Sequence, residues 1–392
     1  MKERLIMKGF RKNKGAFKKN RTKNGCIFKI AWIVFLCLIS VLLSRYILIG
    51  INDMLAVGKP SRSVMIEVKE GDSLGSIASD LKDQGIISEK EFFKLYARFA
   101  NHNKKLLPGV YELQTNMDYQ SIIDHLQNKA NVKNVVGITF TEGMNILDYA
   151  ELLEKEHICS KDEFLRACNS DQFNENNNFL KDITNSSERL YRLEGYLFPD
   201  TYNLYKGEPP EKIINTLLLN YNKKTSTKMD LENYKEKTSI SEVVEKKGLS
   251  MDKILTIASL IQAEAANTTD MYKVSSVIYN RLATLDSGGK SKFGESGLNY
   301  LQLDATIYYP YKSKQAKNKK SGNISAPKYD TYKVTGLPPG PICNPGIEAI
   351  LAAINPETTE YYYYCHDDSG NAYYAKTNSE HMQNLKKAGL KK

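Results

Sequence analysis

Cysteine and histidine are scarce in this chain, and where they occur they are not spaced for a metal. Cys26 and Cys37 lie before or inside a long apolar run, which leaves Cys159, Cys168, Cys343 and Cys365. Their spacing matches no zinc pattern, and they are too few for a disulfide scaffold. One or two disulfides and free buried thiols both stay open. His102, His125, His157, His366 and His381 are scattered, none at ligand spacing from another. No metal and no cofactor is expected. Net charge is scarce too, once it is located. The formal charge is +10, but residues 1–29 hold eleven Lys and Arg against one acid, Glu3, and the remainder carries bases and acids in equal number. No basic surface is left for nucleic acid. The tail reads instead as a topology signal with some attraction for anionic lipid.

The segment after the tail is apolar. Ile30–Ser44, Arg45 and Tyr46–Ile51 make a run of 22 residues, long enough to cross a ~30 Å hydrocarbon core as a helix. Arg45 sits in its outer third, where it can snorkel to the interface. The basic flank predicts residues 1–29 as a cytoplasmic tail, 30–51 as an uncleaved signal anchor, and the rest outside the cell membrane. A cleaved signal peptide is the alternative; the run is long for one, and no clean small-x-small site comes after it.

Beyond the anchor the sequence repeats at an offset of 72 residues. Glu70-Gly71, Leu74, Ile77-Ala78, Leu81, Ile86, Ser88, Glu91 and Phe92 fall on Glu142-Gly143, Ile146, Tyr149-Ala150, Leu153, Ile158, Ser160, Glu163 and Phe164. Each copy predicts a strand, a Glu-Gly turn, a helix, a turn and a second helix entered by a capping box, Ser88…Glu91 or Ser160…Glu163. Glu70 and Glu142 then read as turn residues. Pro108–Leu113 predicts a strand and Met117–Gln127 a helix. The polar stretches 169–189 and 223–249 read as connections, and the lysine run 312–320 most simply as a solvated loop, with contact to an anionic polymer as the alternative.

The chemistry concentrates further on. In Lys253–Ala266, Ile254, Ile257, Ala258, Ile261 and Ala265 recur at helical spacing, with Ser250 as cap, Asp252 in the first turn and Asn267-Thr268-Thr269 as the stop. Glu264 falls on the flank of that stripe, between Ile257 and Leu260, and Gln262 nearly opposite. A carboxyl against apolar wall loses solvation when charged, so its pKa rises toward the range a general acid needs. Geometry alone leaves that reading level with an exposed helical Glu. A second helix is predicted at Asp270–Leu285, with Arg281 inside its apolar stripe. Arg281 must there meet a carboxylate or backbone carbonyls, as a structural pair or a substrate contact. Thr335–Gly346, dense in Pro and Gly, is a rigid irregular loop fit for a cleft wall, followed by a helix at Gly346–Ala353. Leu193–Tyr202 mixes acids with aromatics, as sugar-binding clefts and ordinary cores both do. The tyrosines of 360–375 predict a β-hairpin turning at Gly370, with side chains alternating between core and solvent.

Five strings in order carry a resemblance: Glu194-Gly-Tyr-Leu-Phe-Pro-Asp-Thr-Tyr202, Ala258-Ser-Leu-Ile-Gln-Ala-Glu264, Asn280-Arg-Leu282, Leu301-Gln-Leu-Asp-Ala-Thr306 and Thr335-Gly-Leu-Pro-Pro-Gly-Pro-Ile-Cys-Asn-Pro-Gly346. Over about 64–385 the chain resembles the MltG/YceG-like endolytic murein transglycosylase family. The resemblance implies an α+β fold: a single N-terminal transmembrane helix, a LysM-like β-α-α repeat region (52–130), a second repeat copy and linker (131–189), and a mixed α+β catalytic domain (190–392). It maps the family's catalytic acid onto Glu264. Many members have Glu where this chain has Gln262, which supports Glu264 as the essential one. Asp304-Ala-Thr306 replaces a common Asp-Pro-Thr. By resemblance Glu194, Asp200, Asp304 and Asn344 belong to or support the cleft, and Tyr202 and Arg281 complete the candidate substrate-contacting set.

The implied reaction needs one carboxyl. Glu264 would protonate the oxygen linking N-acetylmuramic acid to N-acetylglucosamine, then take the proton of the muramyl 6-hydroxyl as it closes a 1,6-anhydro ring on C1. The implied partners are peptidoglycan glycan strands, the membrane and peptidoglycan synthases. Two rivals stay open: a hydrolase whose water is activated by Asp200 or Asp304, and a peptidoglycan-binding assembly protein indifferent to Glu264.

Overall fold

The computed structural model describes residues 24–100, 105–231, 234, 236–286, 300–319 and 324–391. Residues 1–23 of the expected tail and Lys320 of the lysine run lie outside them. The chain divides into two units, Met1–Lys133 and Asn134–Lys392, each with its own apolar core.

The first unit begins with α1 (Asn24–Met54). Its segment Phe28–Met54 is long and apolar enough to cross a membrane, and the side chains of residues 28–49 are all exposed. The helix is not loosely tethered. Near its end the buried Asp53 carboxylate accepts from the Ser88 and Glu89 amides at 2.9 Å and from the Tyr119 hydroxyl, and it pairs with Lys59 at 2.6 Å. After it come β1 (Ser63–Val68), α2 (Leu74–Asp83), α3 (Lys90–Ala100), β2 (Gly109–Gln114), α4 (Tyr119–Gln127) and β3 (Val132–Lys133). The strands form an antiparallel sheet in the order β1-β2-β3, with Ile66 opposite Tyr111. Alternate strand residues (Ile66, Val68, Tyr111, Leu113) meet Ile77, Leu81, Phe93 and Ile122 of the helices in the core.

The second unit holds β4 (Val135–Thr139), α5 (Ile146–Lys155), α6 (Lys161–Ala167), β5 (Thr201–Tyr205), α7 (Pro210–Ser226), α8 (Ile240–Lys246), α9 (Met251–Glu264), α10 (Thr268–Asp286), α11 (Lys314–Lys319), α12 (Ile347–Ile354), β6 (Tyr363–His366), β7 (Ala372–Ala375) and α13 (Asn378–Lys387). Two antiparallel ribbons serve it, β4–β5 with Ile138 opposite Tyr202, and β6–β7 with Tyr364 opposite Tyr374. The architecture is α+β, with one N-terminal apolar helix. Both repeat copies show the strand, turn and two helices, and their glycines take positive φ (Gly71 +88°, Gly143 +80°), which a side chain resists. Their sheet partners differ: β1 pairs with β2, whereas β4 pairs with β5, about 60 residues further on. Residues 138–183 share one core with the segment running to Ile354.

Several expectations need correction. Ser160 makes no side-chain cap, and in the first copy Asp53 takes the amides at the start of α3. Capping boxes form instead at Asn145…Asp148 and Ser239…Glu242. The latter opens α8, which buries Ile240, Val243 and Val244 inside the stretch read as a connection. Residues 169–189 contain three short 3-10 turns pinned by Phe173 and Leu180. The tyrosines of β6 and β7 are half-buried and do not alternate between core and solvent, because α10 packs against β6 and α13 against both strands.

Candidate active site

The central element is α9, and its sequence accounts for its place. Apolar residues recur on more than one face, so from Met251 to Ile261 every residue but Lys253 is buried. Ser250 caps it by accepting from the Lys253 amide. Asp252 is a buried partner of Arg189 and accepts from the Tyr196 hydroxyl at 2.8 Å. Glu264 is the last residue of the helix and lines a cleft of about 740 Å³.

Both oxygens of Glu264 are held. Oε1 accepts from the Ala305 amide at 3.0 Å and Oε2 from the Tyr364 hydroxyl at 2.8 Å. Burial raises its pKa above the ordinary 4.5, against the pull of those two donors; Asp304 adds to the rise and Arg281 opposes it. Tyr364 stays a donor, because burial and the neighbouring Glu264 carry its own pKa far up.

Arg281 reaches Glu264 only through others. Its guanidinium donates to the carbonyls of Tyr362 (2.7 Å), Leu301 and Gln302 (3.3 Å), and lies 5.8–5.9 Å from the Tyr363 and Tyr364 ring centres. It joins the base of β6 to the 301–302 segment, the two pieces of chain that bring Tyr364 and Ala305 to the carboxylate. Of the two partners expected for Arg281, backbone carbonyls rather than a carboxylate meet it among the described residues.

The 3-10 turn at Asp304–Thr306 forms the floor beside Glu264. Thr331 locks it: its hydroxyl accepts from the Leu303 amide at 2.9 Å and its amide donates to the Thr306 hydroxyl at 3.1 Å. Asp304 lines the cleft and accepts from the Tyr332 hydroxyl. The cleft is lined as well by Glu142, Gly143 and Asn145 just before α5, and by Tyr308, Tyr311, Lys312, Lys314 and Ile342. Ile342 is the part of the Pro- and Gly-rich loop that reaches the cleft.

The other predicted site residues lie elsewhere. Glu194 is wholly buried behind the cleft, accepting from the Ile146 amide (3.1 Å), the Tyr309 hydroxyl (2.9 Å) and Asn344 (3.3 Å). Burial pushes its carboxyl up to about 8. Asn344 is buried too; its Oδ1 accepts from the Gly195 and Leu197 amides, tying the 194–198 turn to the loop. Tyr202 packs in the core with its hydroxyl on the Phe198 carbonyl. Asp200 pairs with Lys224 at 3.1 Å and accepts from Asn220. None of these four lines the cleft, so the 193–202 aromatics serve the core and Asp200 loses its place as a water activator.

Several cleft residues escaped the sequence reading, among them Lys312 and Lys314 of the run expected to be a solvated loop. Gln262, expected opposite Glu264, lines the same cleft and accepts from the Gly346 amide at 3.0 Å. Because α9 ends at Glu264, the cleft passes across its tip and not along one side. Glu142 also lines it, packed so close to Gly346 that a Cβ there would fall 1.9 Å from Oε1. The doubled Glu-Gly pair marked the turn without saying which copy faces a cleft.

Comparison with known proteins adds a family. Residues 66–387 match the model of the YceG-like family. The chain is 32% identical over 333 residues to a Bacillus subtilis protein named endolytic murein transglycosylase, covering 83% of this chain and 85% of that one. A Streptococcus pneumoniae D39 protein of the same name is 27% identical over 384 residues, 91% of this chain and 64% of that one. A solved structure, the yceG-like protein lmo1499 of Listeria monocytogenes, is 26% identical and superposes with a TM-score of 0.50, covering 83% of this chain and all of that one.

Proposed function

This chain belongs to the YceG-like family, and we propose that it is a lytic transglycosylase that cuts peptidoglycan glycan strands internally with Glu264 as acid and base. The observation that carries the reading is Glu264 itself: a carboxyl of raised pKa at a cleft, gripped by one backbone and one phenolic donor. Its relatives bear the name of that activity.

Protonated Glu264 donates to the glycosidic oxygen between N-acetylmuramic acid and N-acetylglucosamine, and the C1–O bond breaks. Ala305 N–H and Tyr364 O–H then stabilise the carboxylate without reorganising, because they are already in place. Asp304, held by Tyr332, supplies negative charge beside the cationic sugar. Glu264 removes the muramyl 6-hydroxyl proton as that oxygen bonds to C1, which regenerates the acid and leaves a 1,6-anhydro end. The sugar is its own nucleophile, so no second carboxylate need activate water. General acid–base help of this kind contributes roughly 10²–10⁴-fold.

In this reading α1 anchors the enzyme in the cell membrane, tail inside and cleft outside, where cutting nascent strands terminates their growth. A peptidoglycan synthase is the partner this implies, and the LysM-like part, residues 52–130, holds glycan. Mass spectrometry of strand ends released from uncross-linked peptidoglycan tests the reaction. Internal cuts bearing 1,6-anhydro ends are expected. Reducing muramic acid ends would make it a hydrolase with Asp304 as the base, and retained but uncut glycan would leave a binding protein.

A further inference from the structure

We propose that α3 is a second membrane contact, its outer face resting at the border of headgroups and acyl chains where α1 leaves the bilayer. The inference rests on reading α1 as a membrane span. Along Lys90–Ala100 three faces can be told apart. Phe93 and Ala97 point into the core of the first unit. Lys90, Lys94 and Arg98 make a face that is cationic on balance, with exposed Glu91 paired to Lys94 at 2.9 Å. Phe92, Leu95 and Phe99, at i, i+3 and i+7, make a third face that is apolar and largely uncovered: Leu95 is 52% exposed and Phe99 69%. A soluble surface has little reason to carry that stripe.

The place where the stripe begins identifies its occupant. Phe92 packs on the span itself, edge-on to Tyr46 with ring centres 6.3 Å apart and against Gly50, where a Cβ would meet its ring at 2.4 Å. Tyr46 and Gly50 lie at the outer end of the apolar run, so a side chain of α3 packs on the span where it nears the interface. The register cannot slide, because buried Asp53 ties the end of α1 to the Ser88 and Glu89 amides at the start of α3. Leu55 and Val57, just past the span, are exposed and apolar as well. The lipid-facing surface of α1 therefore continues onto α3, with cations beside it for anionic headgroups, the make-up of an interfacial helix.

Tryptophan fluorescence in bilayers tests this on the full chain, whose only tryptophan is Trp32. In the unaltered chain, quenching of Trp32 by brominated lipid reads the anchor alone. In a Trp32→Phe background, Phe99→Trp and Leu95→Trp read α3. The expected result is blue-shifted emission that loses most of its intensity when the lipid is brominated. Quenched Trp32 with unquenched, red-emitting α3 tryptophans overturns the docking and leaves the anchor standing. Blue-shifted but unquenched emission means that protein, such as a second copy, covers the face, and also overturns it. An unquenched Trp32 removes the anchor and the docking together.

Discussion

At the scale of single residues, activity turns on which groups share the proton of Glu264. Its acid step needs the protonated form, so kcat/KM should fall as pH rises through a pKa above 4.5. The two neighbours move that limb in opposite directions. Asp304→Asn removes a charge that raises the pKa and should shift the limb down; Tyr364→Phe removes a bond to the carboxylate and should shift it up, with lower kcat as well. A pH–rate profile of each variant reads both signs, and shifts in the same direction would break the assignment. Glu194 predicts a stability effect. Folded, its carboxyl holds its proton up to about 8, whereas its ordinary value is 4.5. Its contribution is therefore fully present below 4.5 and is lost as pH rises through 8. Denaturant midpoints of Glu194→Gln should decline less over that window. Glu194→Ala should lose about 1–3 kcal/mol for each donor left unpaired at Ile146 and Tyr309. Helical spacing put Glu264 on the flank of its helix but left it level with an exposed Glu, and it set Gln262 wrongly on the far side; the resemblance singled Glu264 out. Glu194 and Asn344 were legible only as site residues, because nothing in a sequence separates a residue behind a cleft wall from one in it.

Elements place these residues, and Arg281 links the two that matter. Arg281→Met would leave the carbonyls of Leu301, Gln302 and Tyr362 without their donor, at a cost of ~3 kcal/mol or more since the donor is charged. Because β6 and the 301–305 segment would loosen together, kcat should fall with the unfolding midpoint; an unchanged midpoint with lost activity would mean direct substrate contact instead. At the start of α12, Gly346→Ala puts a methyl into the Glu142 carboxylate. Its φ of −76° is ordinary and the clashing atoms end a flexible chain, so the stability loss should sit at the low end of overpacking, about 1 kcal/mol. Activity should fall further, because Glu142 is pushed off its place in the cleft. Periodicity revealed α9, α10, α12, the repeat helices and the hairpin. It left α7 unassigned, read α11 as a loop and missed α8, whose seven residues give less than two turns of pattern; it mistook the burial of the hairpin tyrosines because the covering helix α13, too polar to stand out, lies beyond the hairpin.

At the scale of the whole molecule, the boundary after Lys133 falls close to the expected 130/131 junction, and no division falls at 189/190, where the second repeat copy was expected to end. Internal similarity told where two copies lie, but not that the second had been absorbed into another core. A chain starting at residue 190 lacks β4, α5 and the cleft residues Glu142 and Asn145, so it should be molten or insoluble. One starting at Asn134 should unfold cooperatively by calorimetry. The most direct test of the central claim compares the full chain with Glu264→Gln on uncross-linked glycan strands. Glycan cleavage should drop by at least roughly 10²–10⁴-fold, with an unfolding midpoint as high as before or higher, since a buried carboxyl of raised pKa has been replaced by a neutral group. Cleavage at the original rate by a folded Glu264→Gln protein would contradict it.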